Sequence, residues 1–137
     1  MYYEIKTQYN KLGEDGQPKK VTESFLVDAM SCTEAEAIGI TEVQHFSTDN
    51  FKVCNVRETK IAELFQRDVE GKWYACRLYA LQIDEKGNEK KFPSLIYIKA
   101  IDVKDAENFT MIQFKKSVLE WVILSVTETR IVDVFTK

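Results

Sequence analysis

At 137 residues the chain has room for one ordinary domain or two tightly joined half-domains. Hydrophobic residues are 45% and charged residues 30%, a soluble globular profile, and a net charge of −3 argues against strong bulk attraction to nucleic acid or an anionic membrane. Three scattered cysteines, Cys32, Cys54 and Cys76, suit free thiols in a reducing compartment; with His45 the sole histidine, no metal site of His and Cys and no cofactor is expected.

Met1 runs straight into Tyr2-Tyr3-Glu4-Ile5, with no basic leader, no apolar signal core and no run of about 18 apolar residues. The expectation is a cytoplasmic chain that does not enter a membrane. Tyr3, Ile5, Thr7 and Tyr9 alternate with Glu4, Lys6 and Gln8, the period of a half-buried strand. Glu14-Asp15-Gly16-Gln17-Pro18 is turn chemistry, and residues 21–29 form the returning strand, with Val21, Phe25, Val27 and Ala29 on one face. A helix follows, capped by Ser31 or Thr33, with Glu34 and Glu36 at its positive end. Its rough stripe of Ala35, Ile38, Val43 and Phe46 is weakened by Gly39. Residues 51–65 read as one long strand bent near 55–58, and 66–72 as a polar linker.

The second half repeats this order. Residues 73–83 are a strand, 84–89 a turn, and 91–101 a strand with Pro93 near its start. A helix follows to about residue 119, capped by Asp102, and 121–135 read as a last strand. Laid over itself, the sequence sets Tyr2-Tyr3 on Trp73-Tyr74, Glu14 on Glu85, Gly16 on Gly87, Lys19-Lys20 on Lys90-Lys91, Ala29 on Ala100 and Ala35 on Ala106. After a single-residue gap, residues 56–65 fall on 126–135, with Val, Glu, Thr, Ile and Phe identical at the matching places. The pattern is ββαβ, twice. The second copy is apolar on more faces: its last strand is apolar on both sides at Trp121, Val122, Ile123 and Leu124, which predicts a central strand. The halves are expected to join through a shared sheet or strand exchange.

Nearly the whole chain resembles a family known as domain of unknown function 4494. The resemblance lies in Tyr2-Tyr3, Glu14-Asp15-Gly16, Lys19-Lys20-Val21-Thr22-Glu23, Leu26-Val27-Asp28-Ala29, Thr33-Glu34-Ala35-Glu36-Ala37, Trp73-Tyr74, Asp84-Glu85-Lys86, Glu89-Lys90-Lys91 and the run 128–135. It implies a protein of gut Bacteroidetes or their phages and mobile elements, inside the bacterial host cell, and implies no activity. The family pattern has an aromatic where Cys32 stands, which sets Cys32 aside as a functional residue.

Three groups of residues carry candidate chemistry. Glu58 and Glu128 recur in a Glu-Thr-[Lys/Arg]-Ile setting, with Glu23, Glu63 and Asp133 also in or near strands. They would serve as paired acids or magnesium ligands, but cross-strand pairing with Lys60, Arg130 or the hairpin lysines explains them more simply. Lys19, Lys20, Lys90 and Lys91, with Lys115-Lys116, would meet phosphates while Tyr3 and Tyr74, helped by Tyr2, Trp73 and Tyr97, stack bases. The plainer account has solvated hairpin lysines and core aromatics. A thiolate dyad of Cys54 or Cys76 with His45 competes with the commoner fate of buried free cysteine.

The expected fold is therefore α+β: tandem duplicated ββαβ units forming a pseudo-twofold antiparallel sheet domain with two helices. Residues 1–137 would be a single compact domain of repeats 2–65 and 73–135. The expected function is a non-enzymatic interaction protein of phage or mobile-element type, with a small regulator or host-defence-interfering factor as its finer form. Its partner would be a protein, with homodimerisation open and no membrane. The alternative is a single-stranded nucleic-acid-binding module using sheet aromatics and lysine pairs. An enzyme drawing carboxylates from both halves ranks lowest. The exposed surface of residues 2–65 is the first place to look for function.

Overall fold

Alternating side chains and two glycine turns shape both halves of the chain. The computed structural model describes residues 1–45 and 51–135. In chain order the elements are β1 (Tyr2–Leu12), β2 (Pro18–Asp28), α1 (Cys32–Gln44), β3 (Phe51–Glu58), β4 (Glu63–Phe65), β5 (Lys72–Ile83), β6 (Glu89–Ala100), α2 (Val103–Lys115), β7 (Glu120–Glu128) and β8 (Ile131–Phe135). They form an α+β structure with two four-stranded sheets, and the chain divides into two units.

Unit 1 comprises Met1–Lys60 and Arg130–Lys137. Its sheet has the order β3-β1-β2-β8. β1 pairs antiparallel with β2 and β3, and β8 adds in parallel to β2. Gly16 turns the hairpin at φ 77°, a conformation that glycine adopts without the Cβ penalty. Ser31 caps α1 by accepting the Glu34 amide at 3.1 Å. The core gathers Tyr3, Ile5, Val27, Ala29 and Ala35, with Val53, Val56 and Phe135 against them. Leu26 is also fully buried, so β2 is covered on both faces and not on the single face its alternation suggested. Phe46, placed on the helix stripe, lies outside the described residues.

Unit 2 comprises Ile61–Thr129, and its sheet has the order β4-β6-β5-β7. β5 pairs antiparallel with β6 and β7, and β4 adds in parallel to β6. Gly87 takes φ 83° in the turn, and Asp102 caps α2 by accepting the Asp105 amide at 2.7 Å. The core is Tyr74, Cys76, Leu78, Ile96, Ile98, Ala100 and Ala106. Each large side chain taken from water here contributes roughly 1.5–3 kcal/mol.

The two sheets share one order, and each has a bulge at the matching place, opposite Lys6/Thr7 in β1 and Arg77/Leu78 in β5. This agrees with duplicated ββαβ units. Three details differ from expectation. Both sheets are mixed, because a short parallel strand joins the antiparallel ones. The long strand of residues 51–65 is broken into β3 and β4, and that of 121–135 into β7 and β8, the two pieces of each entering different sheets. β7 is an edge strand, not a central one: Leu124 is 62% exposed.

Candidate functional site

The repeated Glu-Thr-[Lys/Arg]-Ile segment sits at the two breaks. In unit 1 the Thr59 amide and hydroxyl both donate to the Tyr2 carbonyl, at 3.0 and 2.7 Å. In unit 2 the Thr129 amide and hydroxyl donate to the Trp73 carbonyl, at 2.9 and 2.7 Å. A residue that fixes both its donors on one carbonyl ends the ladder cleanly. The isoleucine two places on is then buried, Ile61 in unit 2 and Ile131 in unit 1. The threonine and isoleucine thus explain the motif structurally. Sequence reasoning looked at the glutamates and passed over the threonines.

The glutamates themselves are exposed and belong to different units. Glu58 lies opposite Tyr3 across the β1–β3 ladder. Burial first, and then the Glu58 charge, raises the Tyr3 phenol above its ordinary value. Glu128 accepts from Lys72 Nζ at 2.8 Å, which raises the lysine. Its ion-pair partner is therefore a neighbouring-strand lysine. Glu23 accepts from the Tyr9 hydroxyl; burial foremost, then this bond, pushes the phenol up to about 12. Asp133 accepts its neighbour's amide from Val134, and Glu63 is exposed. Among the described residues no group of three or more His, Cys, Asp or Glu could hold a metal ion.

Of the aromatics considered for stacking, Tyr3, Trp73 and Tyr74 are core residues, while Tyr2 and Tyr97 are half-buried. Tyr3 is 4% and Tyr74 5% exposed, so neither ring presents a face to a base. Trp73 is buried as well. Lys19, Lys20, Lys90 and Lys91 are exposed on the hairpin arms, and Lys91 Nζ lies 5.0 Å over the Tyr79 ring. The structure does not bring these lysines together with open aromatic faces of Tyr3 and Tyr74. Cys76 is fully buried, and burial pushes its thiol up, away from thiolate chemistry. Cys54 is exposed at the β3 bulge, and His45 is exposed at the end of α1.

A groove that sequence reasoning did not assemble lies in unit 2, between the C-terminal half of α2 and β7. It has a volume of about 710 Å³. Thr110, Met111, Phe114 and Lys115 form its helix wall. Leu119 and residues 120–123 form the strand wall, with Leu78 from the neighbouring strand. Phe114 tilts against Trp121 with ring centroids 4.9 Å apart. Met111 is 56% and Ile112 65% exposed at the rim. Trp121 Nε1 is buried and has no hydrogen-bond partner among the described residues, which is a costly state for an indole N–H. The apolar run 121–124 was the visible signal, but its predicted central place hid it.

The elements and the groove define an α+β protein of two mixed four-stranded sheets with an apolar cleft beside an edge strand. The chain belongs to the family described as Domain of unknown function (DUF4494), whose profile matches residues 1–137. No curated protein and no solved structure matches it. Among the described residues no helix is long and apolar enough to cross a membrane.

Proposed function

We propose that the protein acts without catalysis, by binding another protein through unit 2. One observation supports this most: the groove between α2 and β7 exposes Met111 and Ile112 at its rim and holds the unsatisfied Trp121 N–H within. Apolar clefts with a few directed polar groups are where proteins take ligands and partner side chains. This moves the place to look from the exposed surface of residues 2–65 to unit 2. A phage or mobile-element setting, a cytoplasmic location, and a role as a small regulator or host-defence-interfering factor belong to the same proposal; the setting rests on the family resemblance alone.

The test is capture of partners from host cells with the full chain and with Met111→Glu. Met111 is half-exposed on the helix, so the substitution leaves the core intact. A nuclease-resistant protein retained by the wild type and lost with Met111→Glu supports the reading. Capture of nothing, or a partner retained equally by both, overturns it.

A further inference from the structure

We infer that unit 2 receives its partner as an added β-strand along the edge of β7, and that this strand is apolar with a basic residue at the end that meets Glu120. The inference rests on the interaction reading above and names the partner's chemistry.

The edge itself is the first observation. Among the described elements β7 pairs with β5 alone and packs only against β5 and α2. Residues 121–127 carry no charge. β3 holds the matching edge of unit 1 and carries exposed Lys52 and Arg57, the kind of charge that keeps strand edges from pairing. Between its end residues Glu120 and Glu128, β7 has no such charge.

The second observation is the position of the groove. Trp121 and Ile123 lie opposite Ala80 and Leu78 and pack on the core beneath α2. Trp121 and Ile123 both line the groove, which places it on this same face along the edge strand. A strand added about 4.8 Å beyond β7 places alternate side chains over that cleft. Backbone pairing then supplies affinity and the cleft supplies selectivity. An acceptor on one inserted side chain satisfies the Trp121 N–H.

Charge selects the occupant. Among the described residues Glu120 and Glu107 line the groove against a single base, Lys115. A second copy paired two-fold about Leu124 would set Glu120 opposite the other copy's Glu128, a like-charge cross-strand pair that opposes the contact. A lysine or arginine on the incoming strand reverses that sign.

The probe is a panel of fluorescein-labelled peptides of ~8 residues, alternating valine and threonine and ending in lysine or in glutamate. Binding to the full chain is read by anisotropy and by Trp121 emission, with Trp121→Phe identifying the signal. The lysine-ended peptide should bind about fivefold tighter than the glutamate-ended one, and Glu120→Lys should invert the order. Alternate N-methylation of the peptide backbone should abolish binding, because it removes the strand's donors. Equal binding of N-methylated peptides, indifference to Glu120→Lys, or self-association lost on Leu124→Lys would each overturn the proposal. Failure of every peptide overturns it too. If Met111→Glu still loses a captured protein in that case, the interaction reading stands while strand addition falls.

Discussion

Ile5 faces Gly39 in unit 1, and at the matching places of unit 2 Cys76 meets Thr110. A Cβ built on Gly39 would lie 2.5 Å from Ile5 Cδ1, whereas Thr110, whose hydroxyl donates to the Ala106 carbonyl at 2.9 Å, fills that helix position beside the smaller Cys76. One frame thus divides the same volume in two ways, large strand residue with small helix residue or the reverse. The edges diverge further. β3 carries Lys52 and Arg57 where β7 has Val122 and Thr127, so the units share an architecture but not a surface. A common frame is held by turns, caps and threonine anchors, while the side chains free of those duties are the ones that differ.

The sharpest way to break unit 2 selectively is Gly71→Ala. A Cβ there would lie 2.0 Å from the Ala100 carbonyl oxygen, a backbone atom that has no room to move away. The variant should lose about 3 kcal/mol or more in urea melts followed by tryptophan fluorescence, with both tryptophans in unit 2. Wild-type stability in that variant would show that the approach is loose.

Gly39→Ala tests the packing comparison itself. It should cost about 1–2 kcal/mol by overpacking Ile5. In an Ile5→Val background, where the clashing methyl is gone, the same change should cost far less, and a double-mutant cycle reads the difference. Additive costs would mean that the two residues do not share this volume.

Thr59→Val and Thr129→Val should each cost about 1 kcal/mol, since each removes one hydroxyl bond at 2.7 Å. Equal losses would sharpen the likeness of the units; a loss in one alone would break it.

The smallest effect is a pH dependence that belongs to unit 2. Arg67 bonds Asp105 at 2.8 Å, and this bond first, then the Ile101 amide, holds the Asp105 carboxyl below its ordinary value. A carboxyl lowered in the folded state adds stability above the ordinary carboxylate range and loses it as pH falls through the folded value. Arg67→Met should therefore flatten the acid limb of stability against pH while leaving the neutral-pH fold in place. An unchanged acid limb would contradict the role of this pair.

Local chemistry was legible in the sequence. Gly16 and Gly87 turn the hairpins at positive φ, and Ser31 and Asp102 cap the helices, because each of these features is decided within a few residues. Partner choice between strands was not. Residues 51–65 and 121–135 have unbroken strand character, and the break depends on Thr59 and Thr129 reaching carbonyls more than fifty residues away. Tyr3 and Tyr74 fall in the core, as the plainer of the two readings had them; the base-stacking alternative stayed open because a strand shows two faces in sequence but not which one is covered. β7 looked central for the related reason that its apolar run is the same whether protein or a visiting strand lies beside it.

On the strand-addition proposal the two units differ in use at their matching edges, with β7 receiving a partner and β3 not. Amide hydrogen exchange on the full chain, with and without the captured partner, tests it most directly. Exchange should slow along residues 120–126 of β7 and around Met111, and stay unchanged along residues 51–58 of β3. Slowing along β3, or a bound partner that leaves β7 exchanging at its free rate, would contradict it.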